Sequence, residues 1–388
     1  MARTVLPKVF LHIGTRKSGT SYLQLALRNS IEALDDQGLA LMFRTREANV
    51  RRQLTPLREL VSTGDATAVD EAMAWTAERV RAKPDHRHLI TLEDLAELPD
   101  SAIAAMIGGL SDFDVEVVLT ARHWGLTLPS EWQQCVKERH TGTYRDFIED
   151  VRARSGETAQ RFLARQHVPQ IVERWGAHAP VSVIAVPPSS RTEGTLVELF
   201  SDLVGIDPGS LVTPKSTVNQ SLTLVQAEML RRVNIALGDR LPEPAHSYRV
   251  GMREWLTRRS LMKHRGSSIR LPEEYLGWAQ QESLAQLDAL RAGPARLLGV
   301  AEDLVASADL ATGPDTVSDT ELAEIATLTL ADLAADRWRE VEEQRAKQRG
   351  GTRRTKPQVP PPPAPATRLR TRIGRTRAGR VARRWLRR

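Results

Sequence analysis

The sequence predicts an α/β protein: a mainly parallel, doubly wound sheet flanked by helices, then a helical C-terminal region and a basic tail. Three observations lead there. Short apolar runs alternate with longer amphipathic stretches through the first two hundred residues, the pattern of repeated βαβ units. The first of those runs, Val9-Phe-Leu-His-Ile13, feeds a glycine-containing loop that opens directly into a helical pattern. From Val218 onward the pattern is helical.

The expected strands are 8–13, 38–43, 88–91, 115–122 and 181–186, each a short run rich in Val, Ile or Leu. Between them helices are expected at 21–34, 68–82, 100–107, 129–138, 144–151, 158–175 and 195–204. Further helices follow at 222–236, 252–263, 273–291 and 320–345, the last rich in Ala, Leu and acidic residues. Pro360–Pro363 and Pro365 read as a stiff, extended spacer. The domain organisation predicted from this is an α/β domain over 1–300, a helical extension over 301–349, and a spacer with an arginine-rich tail over 350–388. In open parallel sheets ligands bind beyond the carboxyl ends of the strands, and the main polar candidates below follow strand ends.

The net charge of +7 hides an asymmetry. From Arg345 to Arg388 there are sixteen Lys and Arg and no Asp or Glu. Removing those sixteen from the chain's 55 leaves 39 basic against 48 acidic residues, a formal −9 for 1–344. The basic character therefore belongs to the tail. A single cysteine, Cys135, excludes an intramolecular disulfide and fits a reducing compartment. The start of the sequence reads without a signal peptide, and no run of eighteen apolar residues appears, so a cytoplasmic protein is expected.

The loop Gly14-Thr-Arg-Lys-Ser-Gly-Thr20 gathers backbone N–H groups, a lysine and a helix N-terminus around one concavity, a setting for a phosphate. Gly14 and Gly19 keep the G-x-x-x-x-G spacing of the Walker A motif, but Thr20 stands where that motif has lysine, and the lysine lies at position 17. The run Lys17-Ser18-Gly19-Thr20-Ser21-Tyr22-Leu23-Gln24 instead resembles the 5′-phosphosulfate loop of sulfotransferases that use 3′-phosphoadenosine 5′-phosphosulfate (PAPS). The resemblance implies a P-loop NTPase-like sheet. It also implies that Arg16, Lys17, Ser18, Gly19, Thr20 and Ser21 bind the phosphosulfate, with Tyr22 stacking on adenine.

After the strand at 115–122, Arg122 and Ser130 keep the spacing of the arginine and helix-starting serine that hold the 3′-phosphate in that family. An arginine fork suits a phosphate, and a serine at a helix start adds a hydroxyl beside free amides. The family's Asp-Pro after the arginine is replaced here by His123-Trp124. Sulfuryl transfer, like phosphoryl transfer, runs in line and needs positive charge on the leaving oxygen, here Lys17, and a base for the acceptor hydroxyl. Glu93 is the favoured base, following the third strand as the family's catalytic histidine does; Glu47 and His123 are the alternatives. Each has a simpler reading as cap, surface ion pair or turn residue.

Asn219-Gln-Ser221 resembles an Asn-x-Ser segment of bacterial members, and Lys263-His-Arg265-Gly266 resembles the basic loop over the 3′-phosphate; His12 reads as structural. No metal-binding pattern is legible, which suits the donor that the resemblance implies, PAPS without metal. The acceptor is expected to be a hydroxyl-bearing carbohydrate or lipid-linked glycan. The tail, through 367–388, suits an anionic membrane surface at the inner face better than nucleic acid, since Trp385 is its one aromatic. Competing classes are a P-loop kinase or NTPase, and a non-catalytic anion- or nucleic-acid-binding protein acting through the tail.

Overall fold

β-Branched and leucine-rich runs meet in the middle of the molecule as six parallel strands. A computed structural model describes residues 6–42, 67–214, 221–240, 248 and 255–351. The strands are β1 (Lys8–His12), β2 (Leu39–Leu41), β3 (Arg87–Thr91), β4 (Asp114–Ala121), β5 (Val181–Ala185) and β6 (Arg296–Leu298), in spatial order β2-β3-β1-β4-β5-β6. Every neighbouring pair is parallel, with Phe10 opposite Leu89 and Val9 opposite Val115 in the centre. Five strands match the expected runs, and β6 is an addition.

The helices are α1 (Thr20–Asn29), α2 (Ile31–Asp36), α3 (Thr67–Ala82), α4 (Asp100–Gly108), α5 (Trp124–Lys137), α6 (Tyr144–Ala153), α7 (Gly156–Gln166), α8 (Val168–Gly176), α9 (Leu196–Val204), α10 (Leu224–Leu237), α11 (Trp255–Arg259), α12 (Leu276–Ala292) and α13 (Asp319–Gly351). Alternation along the strands sends Val9, Leu11, Val117 and Leu119 to one face, under α3, α4, α8 and α12. Phe10, Leu89, Val118 and Ile184 go to the other, under α1, α2 and α9. Both faces are covered, which is why the central strands are apolar at nearly every position.

A second core lies beside the sheet and is mainly helical. It joins Trp124, Trp132 and Phe147 of the 124–163 stretch to Leu222, Leu230 and Leu256, and to Ala306 and Ile325. The helical stretch after 300 is thus packed into the same body as the sheet, in a compact unit that runs through Ala334. The remaining unit begins at Ala335, and its described part is the end of α13, with pairs such as Arg345–Glu342 one turn apart.

Several expected helices have different bounds, among them 252–263, which is the short α11 followed by a 3₁₀ turn (Leu261–Lys263). The 21–34 pattern is interrupted at Ser30, whose hydroxyl donates to Ala26 O (2.9 Å) and accepts from Val212 N (2.7 Å). The 158–175 pattern breaks at His167, because Pro169 has no N–H to continue a ladder. The 129–138 helix begins five residues earlier, at Trp124, and carries Pro129 inside it. Trp124 anchors that start by donating from Nε1 to Gln166 O (3.1 Å) and packing edge-on against Phe162.

Candidate functional site

The loop between β1 and α1 is held from both sides. Beyond the end of β1 the chain stays paired with β4, Ile13 N donating to Val118 O and Thr15 N to Thr120 O (both 2.9 Å). Gly14 has no room for a side chain: a Cβ there would lie 2.6 Å from Thr120 Oγ1 and 3.0 Å from His12 Nε2. Lys17 (φ 66°) and Gly19 (φ 87°) then turn the chain through left-handed conformations, and Leu23 N donating to Gly19 O starts α1. Lysine rarely takes this conformation, at a cost of about 1–2 kcal/mol. Among the described residues no acceptor pairs with the amides of Arg16, Lys17, Gly19, Thr20 and Ser21. Five free N–H groups at the positive end of a helix make an anion cradle.

The floor of the loop is a chain of buried hydroxyls. Ser18 Oγ donates to Thr15 O (2.6 Å) and shares a hydrogen bond with Thr120 Oγ1 (2.7 Å). Thr120 Oγ1 lies 3.3 Å from His12 Nε2, and His12 Nδ1 lies 2.8 Å from Thr91 Oγ1, which also accepts from Gln24 Nε2 (3.3 Å). His12 is 1% exposed, and burial pushes its pKa down to about 4, so the ring is neutral at physiological pH. The Ser18 side chain is therefore committed downward, away from the cradle.

At the lip, the Thr20 hydroxyl donates to the Glu93 carboxylate, which opens a short 3₁₀ helix (Glu93–Glu97) directly after β3. The structure thus brings Glu93 to the loop. Lys17 Nζ reaches Gln134 Oε1 of α5 (3.5 Å). Ser21 and Tyr22 are exposed on the first turn of α1. Ser130 lies one turn before Gln134 on the same face of α5, but its hydroxyl donates to Leu126 O (3.1 Å). Because α5 starts at Trp124, Ser130 sits in the second turn and not beside free amides.

Arg16 turns away from the cradle into an acidic cluster. It meets Asp94 (2.9 Å), Glu97 (3.1 Å) and Glu138 (3.7 Å), and its carbonyl accepts from Gln166 Nε2 (2.9 Å). Burial opposes its charge, and the surrounding carboxylates outweigh that and hold it firmly protonated. Arg165 of α7 extends the cluster to Glu97 (2.8 Å) and to Glu131 of α5 (3.8 Å). Burial raises the pKa of Glu131, 1% exposed, against the opposing pull of Arg165, Arg16 and Lys17. Arg16, expected to bind the donor, therefore serves as the strut that fixes the loop. Sequence reasoning missed Arg165 and Glu131. The available signal was a carboxylate between Leu128 and Cys135 on the apolar stripe of α5.

No hydrogen bond joins Arg122 to Ser130 among the described residues. Arg122, at the end of β4, lines a small cavity with His123, Trp124, Val168 and residues of α12, and Ser130 is not part of it. Burial, and then the Arg122 charge, push His123 down to about 4. Lys263 ends a 3₁₀ turn whose neighbour His264 lies 2.9 Å from Asp332 of α13. Glu47, Asn219 and the 367–388 segment lie outside the described residues. Among the described residues no group of three or more His, Cys, Asp or Glu is placed to hold a metal, and no helix is long and apolar enough to cross a membrane. Compared with family models, curated proteins and solved structures, the chain matches none.

Proposed function

We propose that the chain transfers a sulfuryl group from PAPS to a hydroxyl acceptor, a carbohydrate or lipid-linked glycan, at the inner face of a membrane that the basic tail approaches. The observation that carries the reading is the carboxylate of Glu93 meeting Thr20 at the lip of an amide-lined loop whose lysine is at position 17. The residues fit an anionic phosphosulfate: five unpaired amides and one lysine lie on one short loop, and the carboxylates of Asp94 and Glu97 are taken by Arg16. A Walker-type kinase would need lysine at position 20, where the chain has the threonine that engages Glu93.

When bound, PAPS supplies an activated sulfur and a phosphate leaving group. The amides of Lys17, Gly19 and Thr20 orient its phosphosulfate, and Lys17 Nζ, leaving Gln134, places its charge on the bridging oxygen. Glu93 accepts the proton of the acceptor hydroxyl as the acceptor oxygen attacks sulfur and the bond from sulfur to the phosphate oxygen breaks. Thr20 fixes the orientation of Glu93. His12, neutral and buried, holds the floor and takes no proton.

The test is calorimetry with 3′-phosphoadenosine 5′-phosphate (PAP), ATP and AMP without metal, and with magnesium-ATP beside them. Preference for PAP, lost in Lys17→Ala, supports the reading. No binding, or an equal response to magnesium-ATP, overturns it in favour of a phosphoryl-transfer or binding role. Glu93→Gln is expected to lower turnover by about 10²–10⁴-fold with PAP affinity kept, the usual range for a general base.

A further inference from the structure

The cavity at the end of β4 has no role in that chemistry, and its lining is unusual. Arg122 has no carboxylate or carbonyl partner among the described residues, and burial lowers its pKa. Facing it from α12 is Gln286, 8% exposed, whose Oε1 accepts from Val168 N (3.3 Å) at the start of α8. Its Nε2 is buried without a partner, as is Nδ1 of His123. The other lining groups are apolar, except Ser283, whose hydroxyl is spent on Ala279 O (2.6 Å). No acidic residue lines the cavity.

An amide N–H buried without an acceptor is costly, and the half-buried Arg122 that lines the same cavity has no counter-charge among the described residues. Here both are donors, and the first turn of α8 adds its positive end beside them. Water would satisfy the donors but leave the charge. The space at the centre of the cavity suits one water or one monatomic ion.

We propose that Arg122 and Gln286 form a binding site for a single halide, chloride in the cell, which locks the start of α8 and the turn after β4 against α12. This is independent of the sulfuryl-transfer reading and makes a different demand on Arg122 from a donor-phosphate contact. An ion in this place stabilises the native state by mass action and saturates.

The experiment is thermal unfolding of the full chain at constant ionic strength, exchanging gluconate for chloride or bromide, in the unmodified chain, Arg122→Gln and Gln286→Leu. The expected result is a saturable rise in Tm of about 2 °C or more in either halide, reduced in both variants. Equal midpoints in gluconate and halide, or a response that both variants retain in full, overturn the proposal. Should the variants not fold, bromide anomalous scattering from crystals of the unmodified chain decides: a peak between Arg122 and Gln286 supports the site, and a cavity with water alone overturns it. Loss of PAP binding without any halide response would instead support Arg122 as a donor contact.

Discussion

Replacing Arg165 by methionine tests whether the acidic cluster beneath the loop is held by charge. Arg165 has a side chain 9% exposed, at ion-pair distance from Glu97 (2.8 Å) and Glu131 (3.8 Å). Neither contact is a well-aligned hydrogen bond, since its Nε and one terminal nitrogen have no partner in line. Methionine keeps the stem volume and removes the charge. Glu131 then retains Gln166 Nε2 (3.2 Å) and the more distant Arg16 and Lys17, inside a site where burial already raises its pKa. Breaking a buried pair from one side costs about 3–5 kcal/mol, and the poor alignment places this case near the lower figure, about 3 kcal/mol. The sign with pH follows from Glu131. Its carboxyl moves further above the ordinary carboxylate value once Arg165 is gone, so the native variant takes up a proton at a higher pH than the native parent. Over that window the variant's native state binds more protons, and its deficit shrinks as pH falls from 7 toward the ordinary range. Urea unfolding of parent, Arg165→Met, Glu131→Leu and the double variant at two pH values measures this. A loss below about 1 kcal/mol, or one that does not change with pH, would refute the argument; so would a double variant no more stable than Arg165→Met.

Other expectations concern single residues. Lys17→Gly relieves a left-handed lysine, so it should match or exceed the parent's stability by up to about 1 kcal/mol while losing PAP binding as Lys17→Ala does; a urea midpoint showing more than about 1 kcal/mol of destabilisation would contradict the assigned strain. Burial holds His12 and His123 at about 4, below the usual 6.5, so the unfolded chain binds more protons between those values. Stability should be fully present above pH 6.5 and be lost as pH falls toward 4, by up to about 1.4 kcal/mol per pH unit for each ring; His12→Gln should flatten that slope, and an unchanged slope counts against the reading. Burial pushes the Cys135 thiol up to about 12, so a disulfide reagent at pH 8 should modify it only on unfolding, and rapid labelling of the native protein would show the thiol to be accessible.

The parts of this molecule that sequence made legible are those set by neighbours along the chain. The β1 run, the glycine turn and the start of α1 are one continuous stretch, and its apolar residues and glycines dictate strand, turn and helix locally. Glu93 was reachable because it follows a strand that pairs directly with β1. What escaped depends on distant partners. β6 has three residues, too few for a periodic signal, and exists because Ser182 and Val183 offer an open edge to Arg296 and Leu297. The early start of α5 depends on Trp124 finding Gln166 and Phe162 some forty residues away. Arg16 reads as a phosphate ligand in any local view, and only the fold reveals three carboxylates around it. Whether Arg122 and Ser130 converge depends on the direction of α5, which no spacing rule contains.

The interleaving of the helical core has a consequence for synthesis. Trp132, Phe147 and Phe162 leave the ribosome well before Leu230, Leu256 and Tyr275, the residues that cover them. For the time needed to make about a hundred residues, several seconds at ordinary elongation rates, α5–α7 must present an uncovered aromatic surface. β5 waits as long for β6, with its outer hydrogen-bonding edge unfilled. The nascent chain therefore carries its greatest aggregation hazard in the middle of translation, and a chain halted before residue 222 would be left with a bare edge and about half of its second core.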